Sequence, residues 1–151
     1  MLLCSVKIKK HTVTLISLLC AAVFVLLCFF SLRLSPKDTV TVGEKAVSLS
    51  AEKEEDIEKF LSETGYQSSE IVMKRDIVIP SEWNDFYASF AQMQKSQGFD
   101  LGKIKGKPAA EYTYALQNSD LFAVITVCDN RIAAAHLSKL NGDGETEALL
   151  K

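Results

Sequence analysis

Hydrophobic and polar positions follow three different rhythms along the chain, and each predicts a different element. From Thr12 to Leu32 there is no rhythm: the run is apolar throughout its centre and holds no charge and no proline. As a helix rising about 1.5 Å per residue it is roughly 30 Å long, the thickness of a bilayer's hydrocarbon core. Residues 12–32 are therefore expected to form a transmembrane helix.

After the run the pattern becomes amphipathic. Ser35-Pro36 stops a continuing helix, so residues 33–49 read as a linker in which Thr39-Val40-Thr41-Val42 alternates like a brief edge strand. Ser50 then suits an N-cap, with acids at positions 52 and 54–56 placed in the first turns. Ile57, Phe60 and Leu61 make a narrow stripe, and Gly65 is a C-terminal stop, which predicts a helix over 51–64. A second helix should start after Pro80 with Ser81 as its cap. Its stripe is Trp83, Phe86, Tyr87, Phe90 and Met93, with Gln94 and Gln97 on the same side and Gly98 as its stop. An aromatic stripe at this spacing is expected to be core.

The remaining segments have strand periods. Tyr66 to Ile79 carries two β-branched patches around Lys74-Arg75-Asp76, read as one bulged strand or a hairpin. Residues 98–108 read as a loop. In 111–117, Tyr112, Tyr114 and Leu116 point one way and Thr113 and Ala115 the other. Residues 122–128 and 131–138 read as a hairpin about a type I′ turn at Asp129-Asn130. A regular register opposes Cys128 to Arg131, Val127 to Ile132, Ile125 to Ala134 and Val124 to Ala135. The bulkier face, with Ile125, Val127 and Ile132, is expected to meet the aromatic helix. Asn141 to Gly144 reads as a turn, and residues 146–151 as a short tail. The fold class is α+β, with two helices on a mainly antiparallel sheet of three to four strands, over residues 50–151.

Charge then gives the chain a direction. Lys7, Lys9 and Lys10 precede the apolar run, and every Asp and Glu follows it, so residues 1–11 carry +3. The other 14 basic residues face 19 acidic ones, a net −5 for the remainder. By the positive-inside rule, residues 1–11 are a cytoplasmic tail and the body lies outside the cell membrane. A cleaved, secreted form is the competing expectation, but the run exceeds a signal peptide's 7–15 apolar residues and no small-x-small site follows it. The acidic body excludes nucleic acid as an expected partner. Only Cys128 lies in the body, which excludes an intradomain disulfide.

Candidate chemistry is thin. Gly102-Lys-Ile-Lys-Gly106-Lys107 has three residues between its glycines and is followed by proline, so it fails as a phosphate loop. Asn141-Gly-Asp-Gly-Glu145 lacks the carboxylate spacing of a calcium loop. His136 is the one histidine after the apolar run, and the regular register sets it on the face opposite Cys128. No catalytic, cofactor-binding or metal residue is expected, and no small-molecule ligand is identified.

Four stretches carry a resemblance: Ile79-Pro-Ser-Glu-Trp-Asn-Asp-Phe-Tyr87, Gln94-Lys-Ser-Gln-Gly-Phe-Asp-Leu101, Gly106-Lys107 and Tyr112-Thr-Tyr114. Residues 50–140 resemble the bacterial family called domain of unknown function 4830. The resemblance implies a single-pass anchor ahead of such a domain and brings no activity. The chain departs from the family at Ile132-Ala-Ala-Ala-His136, where glycines are expected. The expected function is a non-catalytic binding or regulatory module, its partners the bilayer through residues 12–32 and an envelope protein. Exposed members of residues 94–101 and the lysine loop are its expected surface. The alternatives are an envelope hydrolase, requiring Cys128, His136 or several carboxylates to converge, and a structural module similar to cystatin-like domains.

Overall fold

The computed structural model describes residues 20–24, 38–139 and 146–150. Residues 20–24 are helical and exposed. No helix among the described residues is long and apolar enough to cross a membrane, and the helix expected over 12–32 lies, apart from residues 20–24, outside them. The turn at 141–144 also lies outside. Residues 38–151 form one compact unit and residues 1–37 another.

The larger unit is α+β. Its main sheet has five antiparallel strands rather than three or four: β3 (Ser68–Val78), β4 (Pro108–Leu116), β5 (Leu121–Cys128), β6 (Arg131–Lys139) and β7 (Thr146–Ala148), in that spatial order. Before it, β1 (Thr39–Val42) and β2 (Lys45–Ser48) make a separate hairpin. Residues 38–49, the second part of the expected linker, thus belong to the fold, with Val40, Val47 and Leu49 buried. The strand β7 and buried Leu149 and Leu150 likewise replace the expected tail.

The helices are α1 (Glu54–Glu63) and α2 (Asp85–Ser96). Each begins four residues after its expected cap. The Asp56 carboxylate accepts the N–H groups of Glu52 and Lys53 at 3.0 Å, and Lys53, not Ser50, is the cap position of α1. At α2, Asn84 Oδ1 accepts the Tyr87 N–H at 2.8 Å, displacing Ser81, while the Trp83 indole N–H donates to the Pro80 carbonyl. Both helices end in Schellman turns with the N–H of Tyr66 bonded to Leu61 O and that of Phe99 to Gln94 O. Gly98 has φ of +95°, and a Cβ there would meet Val40 Cγ2 at 3.0 Å, so glycine is needed for both the turn and the approach of β1.

The hairpin turn is as expected, with positive φ at Asp129 and Asn130. Its register holds for Cys128 with Arg131 and Val127 with Ile132, then slips: Thr126 opposes Ala134, Ile125 opposes Ala135 and Val124 opposes His136. Ala133 is the extra residue of a bulge, and beyond it every β6 side chain changes face. Tyr114, Ile125, Ile132 and Ala135 therefore share one face, packed with Ile57, Phe60 and Leu61 of α1. The aromatic helix α2 lies on the other, shallower face, where Ala91 and Leu101 close over Ala134. This reverses the expected pairing, because the small side chains of that face leave depth for rings.

The outer edge of β6 is covered in three pieces. At its start, the N–H of Ile132 donates to Leu49 O at 2.8 Å and the N–H of Ala51 to Asn130 O at 2.9 Å. At its end, β7 pairs with residues 136–138. Between them, Gln94 reaches from α2: its Nε2 donates to Ala135 O at 3.1 Å, and its Oε1 accepts the Ala135 N–H at 3.0 Å. Gln97 adds a second donor to Ala135 O and accepts the Leu150 N–H at 2.7 Å. Gln94 is fully buried.

Gln94→Leu keeps the volume but leaves the Ala135 N–H without its acceptor and the Ala135 carbonyl with Gln97 alone. It is expected to lower unfolding free energy by about 2–4 kcal/mol. Exposed Lys95→Ala is expected to change it by less than about 0.5 kcal/mol. Urea denaturation of the two variants checks the contrast.

Candidate functional site

On a one-sided helix, residues that follow one another lie about 100° apart. Phe86 and Tyr87 therefore cannot share the buried face of α2. Tyr87 turns to the sheet, packing 5.6 Å from Trp83 and 5.7 Å from Phe90 between ring centroids, while Phe86 is 67% exposed. The aromatic stripe is not all core: Trp83, Tyr87, Phe90 and Met93 are only partly buried.

Phe86, Tyr87 and Phe90 form one wall of a groove of about 340 Å³ against the sheet. The opposite wall is the end of β3, with Ile77 and with Val78 at 66% exposure. Polar groups line it from three strands. Arg75 on β3 donates to Glu111 Oε1 on β4 from Nη2 at 2.6 Å and from Nε at 2.8 Å. The Glu111 side chain is largely buried and that of Arg75 more than half exposed. His136, on β6, meets the Phe90 ring edge-on at 5.2 Å. Its Nδ1 is out of reach of solvent and has no hydrogen-bond partner. Burial pushes its pKa down to about 4, so the ring is neutral at neutral pH. Tyr87 is shifted upward, first by burial and then by the Glu111 carboxylate. A second hollow of about 270 Å³ adjoins along the same sheet face, sharing Arg75, Glu111 and His136 and adding Met73, Phe122 and Val124.

Cys128 and His136 do not converge. The bulge puts His136 on the same sheet face as Cys128, correcting the regular register, yet they remain at opposite ends of the hairpin. Four residues of strand separate Val124, opposite His136, from Cys128, roughly 13 Å. The Cys128 thiol donates to Pro108 O at 3.5 Å, and burial, then Asp129, raises its pKa, the reverse of an activated nucleophile. Glu111 is held by Arg75, and nothing orients the imidazole through Nδ1. Among the described residues no group of three or more His, Cys, Asp or Glu is placed to hold a metal.

The other expected surface divides. Gln94, Gln97, Phe99 and Leu101 are buried and serve packing, so residues 94–101 present only Lys95, Ser96, Gly98 and Asp100. The lysines after them are engaged: Lys103 with Asp100 at 3.0 Å, Lys107 with Asp129 at 2.8 Å, and Lys105 over the Trp83 ring at 3.9 Å. The Arg75–Glu111 pair carried no sequence signal, since its partners lie 36 positions apart.

The neutral state of His136 has a pH signature. Its folded pKa lies below the ordinary value of 6.5, so the unfolded chain takes the proton first as pH falls. The ring's cost is absent above about pH 6.5 and stability is lost progressively from there toward about pH 4. At pH 5 His136→Gln is expected to recover about 2 kcal/mol of the stability that the parent loses relative to pH 7. Urea titrations at the two pH values check this, as does an imidazole NMR titration, which should place the His136 midpoint well below pH 6.

Against known proteins, no family model matches the chain, and neither a curated protein nor a solved structure does.

Proposed function

We propose that the chain is a membrane-anchored, extracytoplasmic binding module that uses the groove between α2 and β3 to hold an apolar segment of an envelope protein, with no catalysis of its own. The observation that carries this is the pair Phe86 and Val78. Both are about two-thirds exposed, at 67% and 66%, and both line one groove. Large apolar side chains left in water around a concavity are the usual mark of a recognition site. The exposed edge of the Arg75–Glu111 pair would orient a polar backbone beside it. The placement outside the cell rests on the uncharged stretch 12–32 and the lysines before it.

A photo-crosslinking residue at position 86, in the full chain in its own cells, is expected to capture an envelope protein. The same probe at Lys59, on exposed α1 surface, should not. Phe86→Ser with Val78→Thr, probed from position 82, should reduce the adduct about tenfold or more. Equal capture at 86 and 59, or none at 86, overturns the groove as recognition surface. Recovery of the mature chain in plain buffer, without detergent, overturns the anchor.

A further inference from the structure

The two outer edges of the main sheet are treated differently. That of β6 is closed by Leu49–Ala51, two glutamines and β7, as described above. That of β3 pairs with nothing among the described residues, although the strand is 11 residues long, on the order of 35 Å. An unpaired edge of this length offers a row of backbone donors and acceptors to another strand. Its side chains are apolar enough to pack, with Val72, Met73 and Val78 at 45%, 48% and 66% exposure.

The order of residues on this edge selects a partner. Two copies of one strand pair antiparallel about a two-fold axis perpendicular to the sheet, and directly opposed residues then project to the same face. The axis must therefore pass beside a residue that opposes its own copy. If that residue is Lys74 or Asp76, like charges meet, each with an apolar neighbour across from the other charge. If it is Arg75, Lys74 opposes Asp76 of the second copy twice over and Met73 opposes Ile77 twice over. In that register the two Lys74–Asp76 pairs are opposite in sign, the two Met73–Ile77 pairs are apolar, and Arg75 alone meets its own like.

The intramolecular contacts agree. The two Arg75 side chains that come together are each already neutralised by their own Glu111, at 2.6 Å. Lys74 donates to Glu54 at 2.8 Å and lies 4.8 Å from the Tyr112 ring centroid, which holds its ammonium over the strand, and its three donors leave room for another acceptor. Asp76 is exposed and has no ion pair among the described residues. Val72 is the extra residue of the bulge between Ile71 and Met73, so regular pairing is confined to Met73–Val78, which holds the Lys74–Asp76 and Met73–Ile77 pairs of this register.

We propose that the free edge of β3 is a self-association surface, which joins two copies of this chain through antiparallel β3–β3 pairing centred on Arg75 and makes one ten-stranded sheet. Met73 of each copy would then border Ile77 of the other at the groove. The inference does not depend on what the groove binds.

A charge exchange in the full chain, solubilised in mild detergent, tests it. Two differently tagged copies are co-expressed, and co-isolation is measured. The parent chain should co-isolate with itself. Lys74→Glu opposes two acids and Asp76→Lys opposes two lysines, so each alone should lose self-association about tenfold or more. Lys74→Glu with Asp76→Lys, expressed as a mixed pair, should associate again, because Glu meets Lys and Asp meets Lys in both symmetry positions. The double variant Lys74→Asp/Asp76→Lys should recover self-association. Restoration in the mixed pair also shows that each single variant folds. A monomeric parent chain, association insensitive to both single changes, or no recovery in the mixed pair overturns the proposal. Retained groove crosslinking in a monomeric chain would separate its failure from that of the binding reading.

Discussion

The two-way hydrogen bond between the Gln94 amide and the backbone of Ala135 is the joint around which the domain closes. A side-chain amide has the same donor and acceptor as a peptide group, so Gln94 occupies the place of a strand residue at the one position of the β6 edge that neither β7 nor Leu49–Ala51 reaches. A helix is thereby fixed to a sheet by strand-type bonding as well as by packing. The same joint extends to the end of the chain through Gln97 and the Leu150 N–H. It also aims the chain beyond α2: the Schellman turn at Gly98 starts on the Gln94 carbonyl and delivers Phe99 into the core on the α1 side. One residue thus joins the two layers that the sheet separates.

The bulge at Ala133 decides what each layer contains. With it, Ala135 and Leu137 complete the face that receives α1, and Ala134 and His136 turn to the face that receives α2. The first face is large and carries the main core. The second is shallow near Ala134, where α2 sits close, and is left uncovered farther along, past His136. The groove is the remainder of that mismatch: a helix with more aromatic surface than the sheet beneath it can bury. Its polar lining follows from the same geometry, because Glu111 and His136 turn to this face at the margin of the area that α2 covers.

Much of this was legible where a single residue type dictates the backbone. Gly65 and Gly98 mark the helix ends, and Asp129-Asn130 marks the hairpin turn, because few residues accept positive φ. The alternation in β4 and the α+β class were also readable. What escaped lies where tertiary contacts choose between local options. Asn84 competes with Ser81 for the same cap and wins by placing Trp83 over the Pro80 carbonyl. The bulge sits in Ala133-Ala134-Ala135, three identical residues among which sequence shows no preferred slip. The strands β1 and β7 are short, and their burial comes from distant partners. For the site, the adjacency of Phe86 and Tyr87 was the usable clue, since no narrow helical face holds both.

The first hairpin has a mechanical meaning. A pull applied to the chain ahead of Asp38 would enter the compact unit at the open end of the β1–β2 ladder, where Thr39 pairs with Ser48, and Leu49 just beyond is bonded to Ile132 in the body of the sheet. A pull there separates the rungs one after another, as a zip opens, instead of shearing them together. Residues 38–49 could pay out about 40 Å of extended chain before the load reached the five-stranded sheet. The hairpin is the part of the compact unit that such a pull would load first, and Val40, packed beside Gly98, would carry the load on to the end of α2.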